Sequence, residues 1–203
     1  MSQLSGSRGG RQLFKQLSCQ LLAGQWLYVS GANGAGKTSL LRILCGLTSA
    51  DSGEVLFNDL PITAQKEQYQ QDLCYLGHYN AVQESLTVRE NLVFAVALAG
   101  RQLDESALQA ALARLGLAGR ASQWVRHLSQ GQKRRVALAR LALTTARLWV
   151  LDEPYVAMDE QGVAVLAELI DTHLAKGGMA VITSHQRVAI GQREPRVVEL
   201  SAA

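Results

Sequence analysis

Long apolar runs are missing from this chain: no uninterrupted stretch approaches the roughly 18 residues that a membrane-spanning helix needs. The N-terminus also lacks the charged-then-apolar pattern of a secretory signal, so the expectation is a soluble protein of cytoplasmic type. Cysteine is scarce and odd in number. Cys19, Cys45 and Cys74 show no metal-ligand spacing, which argues against a zinc site or a disulfide framework; they read as small buried hydrophobes in a reducing compartment. Neither sign of charge dominates. The formal net charge is +3 and the basic residues are scattered, apart from Lys133-Arg134-Arg135, so charge does not imply nucleic acid. Internal repeats and low-complexity tracts are absent as well. What remains, 203 residues of which 48% are hydrophobic, suffices for a buried core in a single domain over 1–203, with room for an inserted subdomain.

The chain is organised around Gly31-Ala32-Asn33-Gly34-Ala35-Gly36-Lys37-Thr38, a G-x-x-x-x-G-K-T phosphate-binding loop. Trp26-Leu27-Tyr28-Val29 before it is a strand-forming run, and Ser39-Leu40-Leu41-Arg42-Ile43-Leu44 after it continues at helical spacing. In a strand–turn–helix of this kind, backbone N–H groups of residues 33–38 converge on a phosphate at the positive end of the helix dipole. Lys37 then reaches the β- and γ-phosphates and the Thr38 hydroxyl takes a position on Mg²⁺.

Around this loop the pattern predicts a loosely attached Ser/Gly/Arg-rich start (2–11), and a turn with an edge strand within 13–22. A helix from Lys37 ends at Gly46, strands follow at 54–57 and 73–76, and a polar helical segment covers 65–71. From about residue 86 to 145 the texture is helical: a Thr87-x-x-Glu90 capping box opens one helix, 104–115 carries a second, and 130–144 a third. Strand-like runs resume at 148–151, 179–183 and 197–200, with a helix over 161–174. Alternating buried strands and helices argue for a mainly parallel sheet, with ligands at the carboxyl ends of its strands.

Two further elements carry chemistry. Leu148-Trp149-Val150-Leu151-Asp152-Glu153-Pro154 is an apolar strand ending in two carboxylates. Buried together they need a cation; the first is placed to hold Mg²⁺ beside Thr38, the second to orient an attacking water. Leu128-Ser129-Gln130-Gly131-Gln132 precedes a helix, with Ser129 or Gln130 as its N-cap. It reads either as a cap alone or as a second anion site, and a second anion site for one γ-phosphate makes sense only between two molecules.

These elements, with Asp159 and His185 in the same order and spacing, resemble the nucleotide-binding domain of ATP-binding cassette (ABC) transporters over almost the whole chain. The Leu-Ser-x-Gly-Gln stretch separates that family from kinases and GTPases that share the phosphate loop. The resemblance implies an α/β fold: a P-loop NTPase with a mainly parallel core sheet, a small antiparallel β part and an inserted α-helical subdomain over about 86–145. It implies an ATPase using ATP and Mg²⁺. The nucleotide would lie on Gly31, Ala32, Asn33, Gly34, Ala35, Gly36, Lys37, Thr38 and Ser39, with Ser129, Gly131 and Gln132 of a second, head-to-tail copy capping it. Glu153 looks like the catalytic base, His185 like the switch histidine at the γ-phosphate, and Asp159 like the aspartate that communicates across the dimer. Thr38 and Asp152 would hold the metal.

Two positions depart from the family pattern. Where the family has a glutamine contacting Mg²⁺ and water, this chain has His78, a weaker and pH-dependent ligand. The aromatic that stacks on adenine falls near Arg8, whose guanidinium plane could stack in its stead, and the family's first strand looks shortened. Within the family, Tyr75-Leu76-Gly77-His78, the Leu148–Pro154 strand and Asp159-x-x-Gly162-Val163 are most similar to ATP-binding subunits of cytochrome c maturation (haem exporter) systems. That implies integral membrane partners, received around 78–93, and a peripheral place on the cytoplasmic face of the bacterial inner membrane. It implies haem handled by the partners and no direct nucleic acid. The ATPase of another exporter, and a soluble ABC protein acting on nucleic acid or ribosomes, are the alternatives.

Overall fold

The computed structural model describes residues 1–185 and 189–201. Five parallel strands form the central sheet: β3 (Trp26–Gly31), β7 (Leu73–Leu76), β8 (Leu148–Asp152), β9 (Met179–Thr183) and β10 (Arg196–Leu200), in the order β10-β3-β9-β8-β7. Both faces of this sheet are covered, which is why its strands read as nearly continuous apolar runs. Alternate side chains divide between the faces, as the two-residue period of a strand requires. Trp26, Tyr28, Leu76, Trp149, Leu151 and Ile182 pack in one core cluster with Val136, Leu138, Leu141, Leu166 and Ile170. Leu27, Val29, Leu148, Val150 and Val181 pack in the other with Leu4, Phe14, Leu40 and Leu41.

The helices are α1 (Lys37–Leu44), α2 (Lys66–Gln71), α3 (Val88–Leu98), α4 (Glu105–Arg114), α5 (Gln130–Leu143) and α6 (Glu160–Ala175). Between β7 and β8 the described structure is helical, comprising α3, α4, a 3-10 turn at Val125–His127, and α5. The capping box at α3 forms on both sides: Glu90 N–H donates to Thr87 Oγ1 at 3.2 Å, and Thr87 N–H donates to Glu90 Oε2 at 2.7 Å. Residue boundaries of α4 and α6 lie within a residue of those expected from sequence, with Asp104 and Asp159 as N-caps.

The N-terminal part differs from expectation. Residues 2–8 are not loose: β1 (Ser2–Arg8) pairs antiparallel with β2 (Arg11–Leu17) and with β4 (Ser52–Glu54), so the first strand is seven residues long rather than short. The single strand expected at 54–57 is two pieces, β4 and β5 (Leu56–Phe57); the latter pairs with β6 (Leu60–Pro61). Cys45 and Cys74 are buried as expected, whereas Cys19 is only half-buried.

The registers bring one set of ends together. Asp152 of β8 lies opposite Thr183 of β9, Val29 of β3 is opposite Thr183 as well, and Gly31 pairs with Leu200 of β10. The carboxyl ends of the three central strands therefore meet where α1 begins.

Candidate active site

The turn from β3 into α1 leaves little room for side chains. Gly36, the residue before α1, has φ +104°, and a Cβ there would sit 2.8 Å from Leu13 Cβ. No side chain caps the first turn of α1, so its leading amides are available to an anion. Lys37 is largely buried and its Nζ donates to Gly31 O at 2.8 Å and Ala32 O at 3.4 Å, curling over the loop; it also lies 3.9 Å from Glu153 Oε1.

Asp152 is 1% exposed, and its carboxylate accepts hydroxyl hydrogen bonds on both oxygens, from Thr38 at 2.8 Å and from Thr183 at 2.8 Å. The Thr183 hydroxyl in turn accepts from Glu153 N–H at 2.9 Å. Glu153 has φ +50°, a left-handed backbone that carries real strain for a residue with a Cβ. Its Oε2 accepts from His185 N–H at 3.2 Å and its Oε1 lies 3.5 Å from His185 Nε2. Among the described residues Glu153 Oε1 has no hydrogen-bond donor although it is buried. A buried carboxylate oxygen without a donor, beside a lysine, is suited to hold a water.

A cleft of about 320 Å³ collects these groups: Ala32, Asn33, Gly34, Gly36, Lys37, Thr38 and Ser39 from the loop and α1, with Asp152, Glu153, His185, His78, Arg8 and Leu13. Gly31 and Ala35 shape the loop rather than line it, Ala35 being buried in the core. His78, exposed on the loop after β7, meets Tyr79 edge-on at 5.6 Å. Arg8, at the end of β1, borders the same cleft, where the sequence suggested that an adenine-stacking group would lie.

Ser129, Gly131 and Gln132 lie outside this cleft. Ser129 caps α5 in a full capping box, accepting from Gln132 N–H at 3.2 Å while its own N–H donates to Gln132 Oε1 at 2.9 Å. Of the two caps the sequence allowed, Ser129 is the one used. Asp159 likewise stands apart from the cleft: it caps α6 through Gly162 N–H at 3.0 Å and holds Arg135 with both oxygens at 2.7 and 2.8 Å. Its carboxyl is held below the usual range by Arg135 and then by the Gly162 amide.

Two residues escaped the sequence reading. Thr183 joins Asp152 to Glu153, and its signal was a lone hydroxyl at the end of a buried strand in register with the carboxylate pair. Arg134 is buried beneath Glu153; burial lowers its pKa, opposed by the charge of Asp152. Its signal was one basic residue of a triplet falling inside the apolar stretch of α5.

The donor set suits a hard divalent cation. The Asp152 carboxylate and Thr38 hydroxyl are adjacent oxygens, while no group of three His, Cys, Asp or Glu among the described residues could hold a metal without help. An ion that completes its shell with phosphate oxygens and water, as Mg²⁺ does, fits that pair.

Comparison with known proteins agrees with this geometry. Residues 14–156 match the ABC transporter family model. The cytochrome c biogenesis ATP-binding export protein CcmA of Albidiferax ferrireducens is 62% identical over 201 residues, covering 99% of this chain and 96% of that protein. Its counterpart in Dechloromonas aromatica is 51% identical over 90% of each chain. Among solved structures, a Pyrococcus furiosus protein described as an ABC transporter ATP-binding protein superposes with a TM-score of 0.85 at 25% identity, covering 98% of this chain and 95% of its own. The phosphate loop, the paired carboxylates and these likenesses together place the chain in the ABC transporter family, among the cytochrome c biogenesis ATP-binding export proteins, as a nucleotide-binding ATPase.

Proposed function

We propose that this chain is the ATP-hydrolysing subunit of a membrane complex in cytochrome c biogenesis, driving haem export or release of a haem chaperone. The observation that carries the ATPase mechanism is the convergence of Lys37, Thr38, Asp152 and Glu153 in one cleft, with Glu153 Oε1 buried and unpaired. The haem role rests on the likeness to the export proteins named above.

In this reading the amides of residues 33–38 and the Lys37 ammonium bind the phosphates, Lys37 exchanging its bonds to Gly31 and Ala32 for bonds to the β- and γ-phosphates. Ser39, next in α1, borders the phosphates as well. Thr38 and Asp152 would hold Mg²⁺, which when bound neutralises charge on the phosphate oxygens. His78, which borders the same cleft, would be the third group on that side. The Glu153 carboxylate accepts a proton from the attacking water as the new P–O bond forms and the bond to the ADP oxygen breaks, leaving ADP and inorganic phosphate. His185 steadies the γ-phosphate.

Ser129, Gly131 and Gln132 serve the nucleotide of a second copy packed head to tail, and Asp159 lies on that dimer face. Their position away from the cleft of their own chain supports this arrangement. The surface around 78–93, beside the helical stretch 86–145, receives integral membrane subunits, a reading supported by exposed apolar side chains at Tyr79 (85%) and, on α3 close by, Phe94 (60%) and Leu98 (73%). No helix among the described residues is long and apolar enough to cross a membrane. The chain reaches the cytoplasmic face of the inner membrane through those partners, a reading supported by the likeness to the export proteins. Haem itself stays with the partners.

Glu153→Gln tests the chemistry. With its membrane subunits the variant is expected to bind ATP, accumulate as a closed dimer and lose turnover by about 10²–10⁴-fold, the range for a positioned general base. Normal hydrolysis in that complex removes Glu153 from the role. Pull-down from membranes and identification of the partners tests the biology: haem-handling subunits support it, another exporter's subunits or ribosomes refute it.

A further inference from the structure

Arg134 follows the Ser129 cap by five residues on α5, and its side chain turns inward until only 3% is exposed. Burying a guanidinium is costly unless its donors are used. Here they go to neutral acceptors on two separate loops. Nη2 donates to Glu153 O at 2.8 Å and Nε to Pro154 O at 3.3 Å. Nη1 donates to Gly77 O at 3.5 Å and to Asn80 Oδ1 at 3.3 Å, on either side of His78. Glu153, in its left-handed backbone, is thus held from both ends: its N–H by the Thr183 hydroxyl and its C=O by Arg134.

We propose that Arg134 is a positioning residue for ATP hydrolysis: its guanidinium fixes the Glu153 backbone and ties it to the 77–80 loop, so that movement of that loop is transmitted to the base. The proposal rests on the reading of Glu153 as the base. A planar fork is needed, because the acceptors lie on two loops and one ammonium cannot span them with the same directions. The bond that reaches Asn80 is long at 3.3 Å, so it yields first when a partner presses on the loop, while the shorter bond to Glu153 O at 2.8 Å remains. Tyr79, the most exposed large side chain of the loop, gives such a partner its handle.

The test uses this chain assembled with its membrane subunits in nanodiscs, measuring kcat, KM for ATP, melting temperature, and the ratio of turnover with and without the subunits. Arg134→Met is expected to lower kcat by roughly 10²-fold, the effect of an ångström-scale misplacement of a reacting group, with KM changed by less than about twofold. Arg134→Lys should restore most of kcat but not the stimulation by the subunits. Asn80→Ala should weaken that stimulation. Wild-type kcat in Arg134→Met overturns the proposal, and so does a loss of kcat that merely follows lost folding without partial rescue by lysine. If the methionine variant does not fold, full stimulation in both Arg134→Lys and Asn80→Ala overturns it. Glu153→Gln measured alongside separates the two layers: turnover intact there refutes the base, whereas turnover lost there but intact in the Arg134 variants refutes only the positioning role.

Discussion

Thr183 offers a quantitative check on how the site is held together. It is wholly buried at the end of β9, and its single hydroxyl donates to Asp152 Oδ1 at 2.8 Å and accepts from Glu153 N–H at 2.9 Å. Thr183→Val keeps the branched shape and deletes both bonds. A buried N–H left without an acceptor costs about 1–3 kcal/mol, and a bond to a charged carboxylate is worth about 1.5–3 kcal/mol. The two losses share one atom and neighbouring partners, so they do not simply add. A net destabilisation of about 3–4 kcal/mol is expected, a large part of the roughly 5–15 kcal/mol typical of a folded domain. Urea unfolding should show the midpoint falling by about 1–4 M at unchanged slope, given slopes of roughly 1–3 kcal/mol/M. Thr183→Ser retains the hydroxyl and removes one methyl, for about 0.5–1.5 kcal/mol. If the valine and serine variants agree within about 0.5 kcal/mol, the hydroxyl does not hold the carboxylate pair and the account of this corner is wrong. Turnover should fall in the valine variant and not in the serine one, since only valine frees the Glu153 amide.

Two other perturbations address the loop and the far end of the sheet. Gly36→Ala places a Cβ 2.8 Å from Leu13 Cβ at a φ of +104°, so the loop must shift; ATP affinity is expected to drop by about tenfold or more with the fold retained, and an unchanged affinity in nucleotide titration would contradict the role given to this turn. His173 stacks on Trp149 at 3.9 Å, with its Nε2 3.1 Å from Met179 O. Burial pulls its pKa below the ordinary 6.5, only partly opposed by backbone hydrogen bonds. Between the two values the unfolded chain binds more protons, so stability should rise with pH across that window and be lost as pH falls below 6.5, levelling off under the folded value. Melting curves of wild type and His173→Phe should show this slope in wild type and its loss in the variant.

The parts of the site that were legible in sequence are those whose chemistry is contiguous. Gly31–Thr38 and Asp152–Glu153 each carry their strand or helix context within a few residues, and the structure puts Thr38 and Asp152 in direct contact. Illegible parts depend on neighbours distant in the chain. Ser2–Arg8 looks like a loose tail by composition; it is a strand because β2 and β4 satisfy both of its edges, and Leu4 and Ser5 are buried there. Gly6 in that strand is a packing choice, since a Cβ would lie 2.6 Å from the Phe14 ring. The run Glu54-Val55-Leu56-Phe57 suggested one strand, yet Glu54 pairs with Ser2 of β1 while Leu56 and Phe57 pair with β6. Arg134 was legible only as one of three clustered basic residues, of which Lys133 and Arg134 are both buried; the acceptors that Arg134 reaches, Gly77, Asn80, Glu153 and Pro154, are 19 to 57 residues away.

The same long-range contacts separate what holds the loop from what holds Glu153. Within the cleft, Lys37, Thr38 and Asp152 already satisfy one another or the loop backbone, so under the proposed function nucleotide would displace specific protein bonds: ammonium to Gly31 O, hydroxyl to Asp152. For Lys37 the exchange would replace neutral carbonyls by charged phosphate, which favours the bound state. Glu153 does not take part in that exchange through its backbone, because Thr183 and Arg134 hold both ends of its peptide unit. Binding and base position are therefore set by different contacts. Thr183 reports the state of Asp152, and Arg134 reports that of the 77–80 loop. If the proposed coupling holds, a partner pressing on the loop changes turnover without changing affinity, and a substitution on α1 does the reverse.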